Sequence, residues 1–250
     1  MTARRALRIA AWIAALLCTA AATVVARAPA AWLGDWIGAS GKLRLIDAQG
    51  TLWEGSAMLA ISDGRKAMLL PGRLSWQVRP WTIFAGRLQA SLSHRALQAP
   101  LALTIGRDGI SLTAGRAELP AAVLVAVGAP FSTVRPGGTI NFRWSELELR
   151  RALFAGSIQV DWRDARSALS TVAPLGSYQL TITGAGESAR VQLDTLRGPL
   201  RLQGNGSLKA GHLSFRGTAS ADPEMRQALN GLLGLLGQRS GDNVALVLDT

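Results

Sequence analysis

With 250 residues, 48% of them hydrophobic and 17% charged, the chain has room for an N-terminal segment and one sizeable domain, and its composition excludes a disordered or collagen-like polypeptide. The formal net charge is +11, but Arg4, Arg5, Arg8 and Arg27 flank one apolar segment, and the remaining 23 basic against 16 acidic residues leave +7, scattered singly. No Lys/Arg block or aromatic stacking motif accompanies that charge, so nucleic-acid binding is not expected, and an acidic protein or anionic lipid suits it better.

Residues 9–26 carry no charge and as a helix would be about 27 Å long, close to a bilayer's hydrocarbon thickness. Three arginines precede the segment and one follows it, which by the positive-inside rule places the N-terminus in the cytoplasm and the rest outside. The expected organisation is a cytoplasmic tail over 1–8, a transmembrane anchor over 9–26, a juxtamembrane segment over 27–39 and a periplasmic β-rich domain over 40–250. Trp32 and Trp36 sit four apart where they would face the headgroup belt. The alternative is a cleaved signal peptide ending near Ala26-Arg27-Ala28, which Pro29 disfavours. Cys18, the only cysteine, follows Leu17 instead of a small residue, so a lipoprotein signal does not fit, and neither a disulfide nor a thiolate metal cluster can form within the chain.

From residue 40 onward the dominant signal is alternation of apolar and polar residues, the mark of half-buried strands. Leu74, Trp76 and Val78 alternate with Arg73, Ser75 and Gln77; similar runs are Leu101, Leu103, Ile105; Ile140, Phe142, Trp144; Ile158, Val160, Trp162; Tyr178, Leu180, Ile182; Val191, Leu193; Leu200, Leu202; and Leu213, Phe215. Gly and Pro punctuation at Pro71-Gly72, Asp108-Gly109, Pro136-Gly137-Gly138 and Gly204-Asn205-Gly206 separates them, giving an antiparallel meander. A helix is expected over 120–127, stopping at Gly128. A second over 223–236 has Asp222 as N-cap, Pro223 at its first position, a stripe of Leu229, Leu232, Leu233 and Leu236, and Gly237 at its end, with a buried strand over 244–248 after it. The predicted fold class is mainly β: a single transmembrane helix followed by a twisted antiparallel, sandwich-like domain with two short helices. Residues 71–88 and 136–158 share a turn, strand, link, Gly-led strand pattern, read either as duplication or as β-patterning used twice.

Chemistry finds no home in this pattern. His94 and His212 are the only histidines, too few for a His-based zinc site without cysteines, and both read as strand-end residues. Gly184-Ala185-Gly186 and Gly204-Asn205-Gly206 lack the continuation of a phosphate loop and read as hairpin turns. Asp161 and Asp164 beside Arg163 and Arg166, like Glu146 and Glu148 beside Arg150 and Arg151, read as solvated ion-pair patches. No catalytic, cofactor-binding or metal-ligating residue is assigned, no cofactor is expected, and the chain reads as a non-enzyme.

Gly50-Thr51-Leu52-Trp53-Glu54-Gly55, Ala57, then Gly72-Arg73-Leu74-Ser75-Trp76 and Pro80, resemble the opening of the type II secretion system protein N family. The resemblance continues through Pro136-Gly137-Gly138 with Trp144 to Phe215-Arg216-Gly217-Thr218-Ala219 and the Leu-rich helix. It implies a bitopic inner-membrane component of the machine that carries folded proteins from the periplasm across the outer membrane, with no known active site. The implied partners are other secretion components, inner-membrane or secretin subunits, together with inner-membrane lipid and a further copy of the chain. The family also looks related to periplasm-facing β-groove proteins of the AsmA type, linked to lipid traffic, which supplies a rival function.

Trp53 and Trp76 are expected in strands as core residues, while Trp81, after Pro80, breaks the alternation and is expected at a strand-end surface. Partner binding through a sheet edge is the first mechanism and a lipid groove the second; a hydrolase has no supporting residue.

Overall fold

The computed structural model describes residues 12–17, 19–20, 23–34, 43–62, 67–128, 131–151, 153–240 and 243–249. The alternating segments form β1 (Leu43–Gly50), β2 (Glu54–Ser62), β3 (Ala67–Arg79), β4 (Arg87–Ser93), β5 (Leu101–Gly106), β6 (Gly109–Leu112), β7 (Gly115–Pro120), β8 (Pro136–Trp144), β9 (Leu147–Arg150), β10 (Leu153–Ala155), β11 (Ser157–Ser167), β12 (Gly176–Ala185), β13 (Ser188–Arg197), β14 (Leu200–Lys209), β15 (His212–Ala221), β16 (Gln238–Ser240) and β17 (Asn243–Asp249). Short helices interrupt them: 3-10 turns at Pro80–Ala85, Ala121–Val127 and Pro223–Met225, α1 (Phe131–Val134) and α2 (Arg226–Leu236).

The strands make two antiparallel sheets, in the order β1-β2-β3-β4-β5-β6-β9-β10 and β7-β8-β11-β12-β13-β14-β15-β17-β16. β6 runs on into β7, β8 into β9 and β10 into β11, so the sheets share three bent strands and form one meander that turns a corner. Gly156, at φ 112°, sits in the bend, where a Cβ would lie 2.4 Å from the Glu146 carbonyl oxygen. Ser145 ties the bend by donating its backbone N–H to Ser157 O (3.0 Å) and accepting the Ser157 N–H on its hydroxyl (2.9 Å).

Alternation puts apolar side chains on one face in register. Across the second sheet the row is Ala117, Phe142, Val160, Leu180, Leu193, Gly204, Gly217, Leu246; across the first it is Leu88, Ile105, Ile110, Leu149, Phe154. The two apolar faces join over Gly115, where a Cβ would lie 2.6 Å from both Leu101 Cδ2 and Trp144 Cζ2. The turn Ala121–Val127 packs on β8 and also on β3 and β2, which a flat sheet would hold about 19 and about 24 Å from β8 at about 4.8 Å per strand, so the sheet curls towards its apolar side.

Elements cover this face at its ends. Helix α2 lays Leu229, Leu232 and Leu233 on Leu200, Ala219 and Val244, each buried leucine contributing about 1.5 to 3 kcal/mol. Residues 28–34 cover Ala57 and Trp76 through Ala30 and Leu33. Between them, Ile105, Ile110 and Leu149 remain 40%, 42% and 47% exposed. The apolar face is therefore covered only in part.

Several expectations need correction. Asp222 makes no side-chain cap; its carboxylate takes Arg201 instead (2.9 Å), and the helix opens with a 3-10 turn held by the Met225 N–H to Asp222 O bond (2.9 Å). Gly204-Asn205-Gly206 is not a hairpin turn but the interior of β14, where Gly204 makes room for the Phe215 ring, since a Cβ there would lie 2.5 Å from Phe215 Cζ, and Gly206 lies against the Ser214 carbonyl oxygen. Helix α2 spans the expected leucines, although the Leu236 side chain lies outside the described residues. In the two similar segments the links differ, a 3-10 turn after β3 and a two-strand excursion, β9 and β10, after β8.

No helix among the described residues is long and apolar enough to cross a membrane. Of the expected anchor, residues 9–11, 18, 21 and 22 lie outside the described residues, as do the tail 1–8 and residues 35–40. The described parts, 12–17, 19–20 and 23–26, are helical; Thr19 and Thr23 return their hydroxyl protons to the carbonyls of Ala15 (2.7 Å) and Thr19 (2.8 Å), and Trp12, Leu16, Leu17, Val24 and Val25 are all exposed.

Candidate functional site: a clamp and an aromatic turn

The hexamer at 50–55 is a clamp joining the end of the N-terminal helix to the first sheet. Gly50, at φ 89°, turns the chain, and a Cβ there would lie 2.5 Å from Glu54 O. Thr51 closes the turn, donating its N–H to Glu54 O (2.8 Å) and accepting the Glu54 N–H on its hydroxyl (3.1 Å). Leu52 N–H donates to Ala28 O (2.8 Å), and Ala30 N–H donates to Gly50 O (3.1 Å). The Trp53 indole Nε1 donates to Val25 O (2.7 Å), the Trp76 indole Nε1 to Leu52 O (3.2 Å). Gly55 leaves space for the Trp76 ring, since a Cβ would lie 2.6 Å from Trp76 Cζ2.

Trp76 is buried in β3 at 3% exposure, as expected. Trp53 is not in a strand: it is half-buried in the bend between β1 and β2 and works through its hydrogen bond. The alternation of Leu52 with Trp53 and Glu54 gave no hint of this, because a bend and a strand start share the same residue types. Trp81 lies on the surface at 67% exposure, as expected.

Beside the clamp is a groove of about 1180 Å³, lined by Val25, Trp53, Val78, Trp81, Phe84 and Leu103 among others. A smaller groove of about 640 Å³ shares Phe84 and is bordered by Arg87, Arg107, Asp108 and Arg150.

The sheet edges differ. β7 is capped by the preceding loop, through Gln98 N–H to Arg116 O (3.1 Å) and Glu118 N–H to Ala96 O (2.9 Å). β1 pairs only with β2 among the described residues, and Leu43 and Ile46 are exposed. A bulge at Asp47 (φ 53°) interrupts it; Arg73 holds that bulge, with Nη1 on Asp47 Oδ2 (2.6 Å), Nη2 on Asp47 O (2.7 Å) and Nε on Ser56 Oγ (3.2 Å). The Arg73 and Gln49 hydrogen bonds hold the Asp47 carboxyl below its usual value.

Of the acidic residues noted in the sequence, Asp161 and Asp164 take their arginine partners from other strands, whereas Glu148 pairs with a neighbour along its own strand. Asp161, 4% exposed, receives Arg143 Nη2 (2.5 Å), Gln159 Nε2 (2.9 Å) and Gln179 Nε2 (3.0 Å). Burial opposes its ionisation, but the two amides and the guanidinium outweigh it and its pKa is lowered. Asp164 pairs with Arg197 (2.8 Å), and Glu148 with Arg150 (3.1 Å) as expected. His94 accepts the Ala96 N–H on Nδ1 (3.1 Å), and burial lowers its pKa. Burial raises that of Tyr178, whose hydroxyl donates to Leu200 O (3.0 Å). Among the described residues no cluster of three or more His, Cys, Asp or Glu is placed to hold a metal ion.

Fold and clamp together define a class: a meandering antiparallel β-protein whose first strands are tied to the end of an exposed apolar helix. The model of one family, described as type II secretion system (T2SS), protein N, matches residues 41–246, most of the chain. The chain belongs to this family and is a component of the type II secretion system. No curated protein and no solved structure matches it.

Proposed function

We propose that the chain serves type II secretion without catalysis, through protein–protein contacts made by the open edge of β1, with residues 9–26 as an inner-membrane anchor, the tail 1–8 in the cytoplasm and residues 40–250 in the periplasm. The one-sided pairing of β1 among the described residues supports the edge contact: an unpaired row of backbone N–H and C=O groups is a template for a partner's strand, and residues 43–46 precede the bulge that blunts the rest. The exposed apolar side chains of the N-terminal helix and the arginines at 4, 5 and 8 support the topology. Photo-crosslinkers placed at Leu43 and Ile46 in cells test the edge. Products with another secretion component are expected from these sites and not from Ser207 inside the second sheet; products from Ser207 alone would remove the reading.

A second reading, lipid handling, is supported by the uncovered row Ile105, Ile110, Leu149 on the inner face. Its mark is phospholipid that co-purifies near one-to-one with the full chain and is lost in a folded Ile110→Asp variant.

A further inference from the structure

The turn Pro80–Ala85 buries none of its residues, and Trp81, Ile83 and Phe84 are 67%, 49% and 94% exposed. Hydrogen bonds hold it in this form. The Thr82 hydroxyl donates to Arg79 O (2.7 Å) and accepts the Gln89 N–H (3.2 Å), while Gly86, left-handed at φ 71°, donates its N–H to Ile83 O (2.9 Å). A backbone tied down at both ends thus presents Trp81 and Phe84, one 3-10 turn apart on the same face, outward together beside the exposed Ile83, unlike the scattered single exposures normal on protein surfaces.

The surroundings narrow what the patch meets. Arg79 and Arg87 bracket the turn and Arg107 lies under Gly86; all three are exposed, and none is ion-paired with a carboxylate among the described residues. Glu54 and Asp108 are the acids that line the two adjoining grooves. Val25 and Ala26, the end of the apolar helix, line the same groove as Trp81 and Phe84, and the Trp53 bond fixes them there. Aromatic side chains at a bilayer interface, with arginines at phosphate depth, fit this arrangement.

We propose that the turn Pro80–Ala85 docks on an anionic phospholipid bilayer, with Trp81 and Phe84 in the headgroup layer and Arg79, Arg87 and Arg107 on lipid phosphates. The domain would thereby lie against the membrane at a fixed orientation. This rests in part on reading residues 9–26 as membrane-inserted, and the test separates the two.

In a Cys18→Ala background, the full chain carries an environment-sensitive fluorophore at Phe84→Cys, Trp12→Cys or Val247→Cys and is placed in nanodiscs of phosphatidylcholine with phosphatidylglycerol, with and without spin-labelled lipid. Lipid quenching is expected at positions 84 and 12 and not at 247. It should weaken at 84 in phosphatidylcholine alone and in the combined Arg79→Ser, Arg87→Ser, Arg107→Ser variant, each arginine shifting the docking equilibrium about fivefold. Quenching at 12 without 84 overturns the docking while leaving the anchor; quenching at 84 without 12 supports docking and removes the anchor. A blue shift at 84 without lipid quenching means a protein covers the patch and also overturns the proposal.

Discussion

The indole N–H of Trp53 donates to the carbonyl oxygen of Val25, 2.7 Å away and 28 positions earlier in the chain. One side chain in a β-bend thus fixes where the N-terminal helix ends relative to the sheet. Thr19 and Thr23, by contrast, bond to carbonyls within the helix itself.

Trp53→Phe keeps an aromatic ring and removes that donor, at a cost of about 1 kcal/mol. Amide exchange at Leu52 and Ala30, whose N–H groups bond across the clamp, is expected to quicken before exchange in β13 does. Unchanged exchange at both amides would show that the backbone bonds hold the clamp unaided.

Trp76→Ala removes a ring at 3% exposure that packs with Ala57 and Ala30, and should lower the stability of the full chain by about 3 to 5 kcal/mol in denaturant titration. Trp81→Ala, at 67% exposure, should leave the midpoint within about 0.5 kcal/mol of the parent. Equal losses from the two variants would contradict the burial difference between them.

Gly206→Ala puts a Cβ 2.3 Å from Ser214 O and 3.0 Å from Phe215 Cβ, in the middle of two paired strands that cannot both move aside. A loss of about 1 to 3 kcal/mol is expected. Gly231→Ala in α2 meets nothing within 4 Å and should raise stability by about 0.5 to 1 kcal/mol through the better helix former, as thermal unfolding will show.

The Asp161 pKa lies below the ordinary aspartate value in the folded protein, so its ionised form stabilises the fold above the unfolded value, and the contribution fades as pH falls through the folded value. Asp161→Asn should therefore be less stable than the parent at neutral pH, and its melting temperature should fall less steeply below about pH 4. Parallel acid limbs for the two proteins would assign the acid sensitivity to other carboxylates.

The alternation of apolar and polar residues by itself determined that the domain is an antiparallel meander. Each strand pairs with a chain neighbour or continues one, and period 2 is a local property that needs no distant partner to be expressed. The leucine spacing of α2 and the stop at Gly128 were legible for the same reason. The G-T-L-W-x-G hexamer marked the site and, with Trp76, the family.

What only the tertiary structure decided are the relationships that span the corner and the clamp. Gly204-Asn205-Gly206 reads as a turn until the Phe215 ring from the next strand is seen to need the space. Asp161 and Asp164 sit among arginines in the chain, yet their partners, Arg143 and Arg197, come from β8 and β13, because neighbours along a strand point to opposite faces while cross-strand residues share one. Trp53 and Trp76 carry the same chemistry in the sequence. Their roles separate because the bend at 51–53 turns one towards the helix end and the strand buries the other, an outcome set by where the chain folds back and not by either residue.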